Sequence, residues 1–434
     1  MRLLLASLVA LVAAPTAAAE VVFSSRVDDA GLAVAANGSP RAAYVRAGSL
    51  SVAARTASGW EAGTAVMLPG TNAVIVGVAA TAAATYVLAE GGEGEWLRLV
   101  RLSAGAPTAL LRVRARARHD LGPAGLVVDR RGRAVVAWAE QAAGGSTTLR
   151  LWRERSRTVQ ITRGGFPPSD VTPPVAPLVM RDGSIRVVEA YAVATEAAVI
   201  EWRRSGRKWV GQYVFASALG APAGVLRAAA SGSATYAAWT HRYPSLGETN
   251  VVVARNAHGG QTSATIATHA ILVDLAPTRG GFEAGANDWV DGPAFDPIDA
   301  ALVVTSAGTT QELDGTLLGY AIHGATRHFL VERDGDLEWF SAPSLPSAVV
   351  HASVARVADG VAVTGSVTGA TAGPVAVYRE RPNESRVLVG TTTPAPDGSF
   401  TVVDATPVLP AAYRAVYKTP MGVPVAHLVR EIVN

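Results

Sequence analysis

The sequence has no cysteine in 434 residues, so it forms no disulfide, carries no lipid on an N-terminal cysteine and offers no thiolate to zinc or an iron–sulfur cluster. Stability must come from packing and backbone pairing alone. Lysine is almost missing too: of 38 basic residues only Lys208 and Lys418 are lysine. Charged residues make up 17% of the chain against 49% hydrophobic, which excludes a disordered tail or a collagen-like rod. Beyond the N-terminus, no apolar stretch reaches the roughly 20 uncharged residues that a bilayer-spanning helix needs. There is no G-x-S-x-G, no phosphate loop and no dinucleotide fingerprint.

What is present begins with MRLLLASLVALVAAPTAAAE: one Arg, an apolar run from Leu3 to Ala14, a Pro, then small residues ending in Ala17, Ala18 and Ala19. This pattern predicts a secretory signal over 1–19, cut between Ala19 and Glu20. The mature chain is then expected to be secreted or held at the cell surface, with no transmembrane span.

Helical periodicity is nearly absent. Apolar residues come in runs of four to eight, often alternating with polar ones, and Gly, Pro, Asn, Asp or Ser interrupts them every eight to twelve positions, which predicts an all-β protein of many short strands. Stacking the segments reveals a repeat: LAVAANGSPRAAYV (32–45), LVVDRRGRAVVAWAE (126–140), LVMRDGSIRVVEAY (178–191) and LRAAASGSATYAAW (226–239) each give a strand, a polar turn and a second strand closing on an aromatic. The closing aromatics are Tyr44, Tyr86, Trp138, Tyr191, Trp239 and Tyr320, spaced by 42, 52, 53, 48 and 81 residues. The first four spacings suit four-stranded blades of a β-propeller. Six blades over 20–345 accommodate the long last gap if 272–297 is an insertion; a seventh blade inside that gap is the rival count.

At Pro343–Pro346 the repeat stops, and 347–434 reads as a separate unit of about seven short strands. The matching text is G-x-V at Gly365 to Val367, P-V-x-V-Y-R at Pro374 to Arg379, D-G-x-F at Asp397 to Phe400 and Y-R-A at Tyr413 to Ala415. On these elements the segment resembles the immunoglobulin-like β-sandwich modules appended to secreted and surface proteins of actinobacteria, which implies a spacer or adhesive unit. The repeat region is similar in strand grammar to sialidase-type and other secreted bacterial propellers. It departs from them in having no Asp-box text of the S-x-D-x-G-x-T-W kind and no R-I-P-type arginine segment, so the resemblance implies the shape and not a sialidase activity.

Charge is uneven along the chain. Residues 98–163 hold 14 Arg against 4 acids, while 270–340 hold 3 Arg against 12 acids, which predicts a dipolar disc. The sharpest basic feature is LLRVRARARHD, where Arg112, Arg114, Arg116 and Arg118 alternate with small apolar residues. On one strand this period of two aligns four guanidinium groups in steps of about 7 Å, a spacing able to engage successive anionic groups of a polymer. The bland reading is a solvated edge strand that uses charge against sheet-to-sheet association. In NDWVDGPAFDPID, Asp288, Asp291, Asp296 and Asp299 could supply oxygens to calcium, although the spacing matches no EF-hand; a solvated loop is the alternative. Asp120, Glu140, Glu189 and Glu201 are the carboxylates considered for hydrolysis, each more simply a turn or strand residue. His323 and His328 sit five apart, a spacing that supports neither a metal site nor a triad. Trp60, Trp96, Trp152, Trp202 and Trp209 could stack on sugar rings or fill the gaps between blades.

Together these features predict a monomeric binding propeller for an anionic polysaccharide, a wall polymer or a surface protein. It needs no cofactor other than a possible calcium ion, has no catalytic residue to name, and lacks the interleaved aromatics expected of a nucleic-acid partner. A divergent glycoside hydrolase or lyase at the channel mouth is the enzymatic alternative, with a structural surface scaffold as the third; propellers host many functions. The hydrolase makes a structural demand: two or more carboxylates with raised pKa in one deep pocket.

Overall fold

The computed structural model describes residues 19–433 except 71, 92–93, 104–105, 144–145, 162–171, 194–195, 218–220, 244–247, 258–259, 293–294, 370–372, 382–383 and 421–422, and leaves out the side chains of 193, 196, 217, 289–299 and 430–432. The expected signal segment over 1–18 lies outside the described residues.

Among the described residues every regular element is a strand. No helix is long and apolar enough to cross a membrane. The strands up to Ala342 make seven antiparallel sheets. The first strands of these blades are Asp29–Val34, Ala73–Ala80, Gly125–Val128, Val175–Val179, Ala221–Ser231, Ala270–Pro277 and Thr316–His323, and they pack against one another in cyclic order, the last returning to the first. This is a β-propeller. Close approach at the hub demands small residues: a Cβ on Gly125 would lie 2.8 Å from the Ala176 backbone, and one on Gly319 2.7 Å from the Leu32 backbone nitrogen.

Seven sheets form the ring, where six blades were expected and seven was the rival count. Tyr44, Tyr86, Trp138, Tyr191 and Trp239 each lie on the second strand of their blades, but Tyr320 lies on the first strand of the last one. The 81-residue gap therefore holds a complete sixth blade, whose hairpin Phe282–Gly292 and Phe295–Thr305 occupies the supposed insertion. Its text carries the same pattern, Trp289 on the second strand after the Gly280–Gly281 turn, but that stretch falls within the supposed insertion.

Glu20–Phe23 supplies the outermost strand of the seventh blade, pairing with Asp336–Ala342. The ring is thus closed by the segment that follows the expected cleavage point. Arg55 of the first blade grips Glu20 at 2.6 Å, and Phe23 stacks on Tyr44 with centroids 4.8 Å apart, so the closure strand is tied to both neighbours.

The strands from Val349 onward form a two-sheet sandwich. Val349–Val357, Gly360–Thr368 and Ser399–Asp404 face a sheet of Val375–Glu380, Val387–Thr392, Ala411–Lys418 and Pro424–Val433. Val350, Val363 and Phe400 pack on Val377, Tyr413 and Ala415 between them. The last strand also pairs with the sixth blade, Leu313 opposite Val425. Around this seam Asp314 of the propeller accepts from Arg386 of the sandwich at 2.7 Å, with Arg333 at 3.4 Å and Arg414 at 3.9 Å, while Arg414 is held by Glu380 at 2.7 Å. Burial would raise the Asp314 carboxyl, but Arg414, Arg386 and Arg333 outweigh it and hold it below the ordinary range. Much of the acidic excess of 270–340 is therefore absorbed by arginines of the sandwich and of the same blades.

Candidate functional site

Successive strands of a blade run in opposite directions, so the disc has two faces. One carries the turns between first and second and between third and fourth strands; the other carries the second-to-third turns and the connections between blades. The first strands begin at the connection face, and there they enclose a cavity of about 480 Å³ to which all seven blades contribute.

Backbone irregularity shapes this cavity. First strands carry bulges between Ile75 and Gly77, Ala223 and Leu226, Leu272 and Asp274, and Leu317 and Gly319, all at its wall. A bulge interrupts the ladder and re-aims side chains, leaving backbone groups in need of other partners. Arg227, next to the bulge of the fifth blade, supplies two: it donates to the carbonyl of Val273 in the sixth blade at 3.1 Å and to that of Val76 in the second at 3.2 Å. Its charge is met by Asp274 at 3.4 Å. Asn287 does the same for the seventh blade, accepting from Leu317 N–H and donating to its carbonyl, both at 2.8 Å.

Three carboxyls share the space. Asp29 accepts from Ala30 N–H at 2.9 Å and, across the blade boundary, from Ile75 N–H at 2.5 Å; Glu90 closes the second strand of blade two, and its buried Oε2 makes no hydrogen bond among the described residues. Burial pushes Asp29 up to about 6 despite those N–H donors, and pushes Glu90 up to about 7, with the Asp29 charge adding to the rise. Burial also raises Asp274, against the lowering by Arg227. Near neutral pH the pocket thus offers a carboxylic acid that donates, a carboxylate that accepts and a fixed cation, between apolar walls such as Leu126 and Val74.

Sequence reasoning missed all of these residues. Asp29, Glu90, Asp274 and Arg227 come from four different blades, and no local motif marks them. Of the carboxylates it did weigh, Asp120 is exposed, Glu140 binds Arg150 and Trp138, Glu189 accepts from Trp202, and Glu201 is held by Arg186 and Thr235. His323 and His328 stand on neighbouring strands of one hairpin.

Arg112 and Arg114 lie exposed on the outermost strand of blade two, Thr108–Arg114. The strand ends there. Arg116 and Arg118 sit in the following turn, Arg118 with a left-handed φ of 62°, so the expected row of four on one strand face is shortened to two. Asp288, Asp291, Asp296 and Asp299 lie on the paired strands of the blade-six hairpin and not in a loop; Asp288 is buried opposite Ala300, and the other three side chains lie outside the described residues. Among the described residues no group of three or more His, Asp or Glu is arranged to hold a metal ion. Trp202 is a core residue, whereas Trp209 is half-buried beside a groove of about 610 Å³ on the turn face, between blades three and four.

No protein-family model matches the chain, and no curated protein matches it. Among solved structures it is similar to the SapL1 lectin in complex with alpha methyl fucoside, at 13% identity over 66% of this chain and 96% of that one with a TM-score of 0.43. AofleA from Arthrobotrys oligospora gives 12%, 68%, 87% and 0.41 on the same measures. The Hadza microbial sialidase Hz136 gives 12%, 75%, 68% and 0.41. Likeness at this level transfers neither ligand nor activity to this chain.

Proposed function

We propose that this protein is an extracytoplasmic propeller that binds carbohydrate at the mouth of its central cavity, with the C-terminal sandwich as an appended immunoglobulin-like spacer. The observation that carries the reading is the pairing, in one cavity of about 480 Å³, of the unsatisfied Glu90 Oε2 with Asp29, Asp274 and Arg227 against apolar walls. Sugars present closely spaced hydroxyls that donate and accept at once and apolar ring faces, so a site needs few well-placed polar groups on an apolar frame. The cavity has that composition. A preference for anionic glycans or wall polymers, expected from the arginine excess, belongs to the turn face.

The test is calorimetric titration of mature protein with neutral mono- and oligosaccharides, beside a Val74→Trp variant. Val74 is an exposed residue of the cavity wall, so an indole there narrows the mouth without emptying the core. A saturable heat that falls at least roughly tenfold in affinity, a difference of about 1.4 kcal/mol, in Val74→Trp is expected. Equal binding by both proteins would remove the mouth as the site.

A specific observation favours hydrolysis as a second reading. Two carboxyls raised to about 6 and about 7 in one pocket meet the demand set above for a general acid and a companion carboxylate. In that reading Glu90 protonates the glycosidic oxygen as the bond to the anomeric carbon breaks, and water adds to that carbon as it gives its proton to the Asp29 carboxylate. Glu90→Gln should then bind oligosaccharide yet release no reducing sugar, and absence of release by the parent protein would dispose of it.

A further inference from the structure

We propose that the turn-face groove between blades three and four is a second, separate binding site, and that it takes a carboxylated polysaccharide. The groove is framed by the third-to-fourth-strand turns of two adjacent blades. Its lining includes Arg153, Arg157, Arg204, Arg207, Lys208 and Trp209, and no Asp or Glu. Arg153 is neutralised by Asp129. No carboxylate pairs with Arg157, Arg204, Arg207 or Lys208 among the described residues, and all four are exposed.

Several arginines elsewhere in the chain are instead paired. Arg55, Arg150, Arg186 and Arg327 each hold a carboxylate, at 2.6, 3.2, 2.6 and 2.5 Å. The acidic region of blades six and seven is likewise met by the sandwich. The groove keeps Arg157, Arg204, Arg207 and Lys208 close together without a counter-charge among the described residues, and such like charges repel. Guanidinium groups bind carboxylates in a bidentate manner, so an acidic chain laid in the groove supplies the missing counter-charges.

Trp209 selects the kind of anion. Its ring packs on the blade-three and blade-four core, as Ile185 does, and it remains part-exposed along the groove. An indole face beside cations suits a sugar ring bearing a carboxylate. A nucleic-acid strand would use several successive stacking platforms, and this groove has one. The site is independent of the cavity mouth, from which it is separated by the thickness of the disc.

The experiment measures binding of the full mature chain to polygalacturonate oligomers over a salt series, with dextran sulfate, polyphosphate and single-stranded DNA in parallel. Three proteins are compared with the parent: Arg204→Ser/Arg207→Ser/Lys208→Ser, Trp209→Ala and Val74→Trp. The triple variant is expected to lose roughly tenfold or more in affinity at low salt and to show a shallower salt dependence, since fewer counterions are released. Trp209→Ala should lose affinity severalfold while keeping the parent's salt slope, and Val74→Trp should bind polygalacturonate as the parent does, which separates this site from the mouth. Parent-like binding by the triple variant would overturn the proposal. So would equal binding of all the polyanions with no effect of Trp209→Ala, which is bare charge adsorption, or tighter binding of DNA through the same residues.

Discussion

Asp314→Ala should be the most damaging single substitution at the seam between propeller and sandwich, lowering stability by about 3–5 kcal/mol, the range seen when one partner of a buried ion pair is removed. Asp314 is the only propeller carboxylate among the described residues that touches both Arg386 and Arg414, and its side chain is 2% exposed. Without it, Arg414 keeps Glu380 and Arg386 keeps the Tyr378 ring at 4.1 Å, and Arg386 is left to reach the propeller only through the exposed Asp334 at 2.8 Å, while the buried charge that joins the two domains is gone. Beside that pair the seam keeps the pairing of Leu313 with Val425, the contacts of Glu312 with His427 at 3.4 Å and with Leu428 N–H, and the packing of Ala300 on Ala412 and Leu428. Scanning calorimetry should therefore show the variant's sandwich melting apart from and below its propeller. Asp314→Asn, which preserves shape while removing charge, should fall between variant and parent. A melting profile identical to the parent's would mean that the seam holds without the Asp314 charge.

The second large effect is a pH dependence at Glu90. Its folded-state pKa, about 7, lies above the ordinary value of 4.5 because burial disfavours the charged form. The folded state thus holds the proton more tightly than the unfolded one. Its contribution is fully present below about 4.5 and is lost as pH rises through about 7. At about 1.4 kcal/mol per pKa unit this amounts to an order of 3 kcal/mol. Glu90→Gln cannot ionise, so it should match the parent within about 1 kcal/mol at pH 5 and exceed it by about 3 kcal/mol at pH 8. His328, lowered to about 4 by burial and by His323, contributes in the opposite sense between 4 and 6.5, but it is common to both proteins and cancels in the difference. Urea denaturation of the pair across that range is the measurement. A difference that does not change with pH would show that Glu90 is ionised and solvated in the native protein, and the acid needed for hydrolysis would be missing too.

The two effects report on one architectural fact, that charge in this chain is resolved between blades and domains more than within hairpins. Arg227 reaches Val76 across 151 positions of sequence, and Arg386 reaches Asp314 across 72. Neither is visible as a spacing.

The sequence alone determined the all-β class, the blade repeat, the change of grammar near Pro343 and the uneven charge. Each of these is local: strand alternation, turn residues and composition are written in neighbouring positions. It also marked Trp209 as one of five tryptophans able to meet a sugar, and the arginine-rich stretch that contributes one wall of the turn-face groove. The tertiary structure decided the rest. The extra blade was concealed because its first hairpin, with Trp289 after the Gly280–Gly281 turn, reads equally as an insertion, and the run of four arginines broke because the strand stops at Arg114. The acidic excess became a docking seam once the sandwich placed Arg386 and Arg414 against it. The cavity exists only because the ring closes, when Glu20–Phe23 pairs with Asp336–Ala342 and brings Asp29, Glu90, Arg227 and Asp274 to one mouth. Burial there, which no residue carries by itself, sets the carboxyl pKa values that give the site its chemistry.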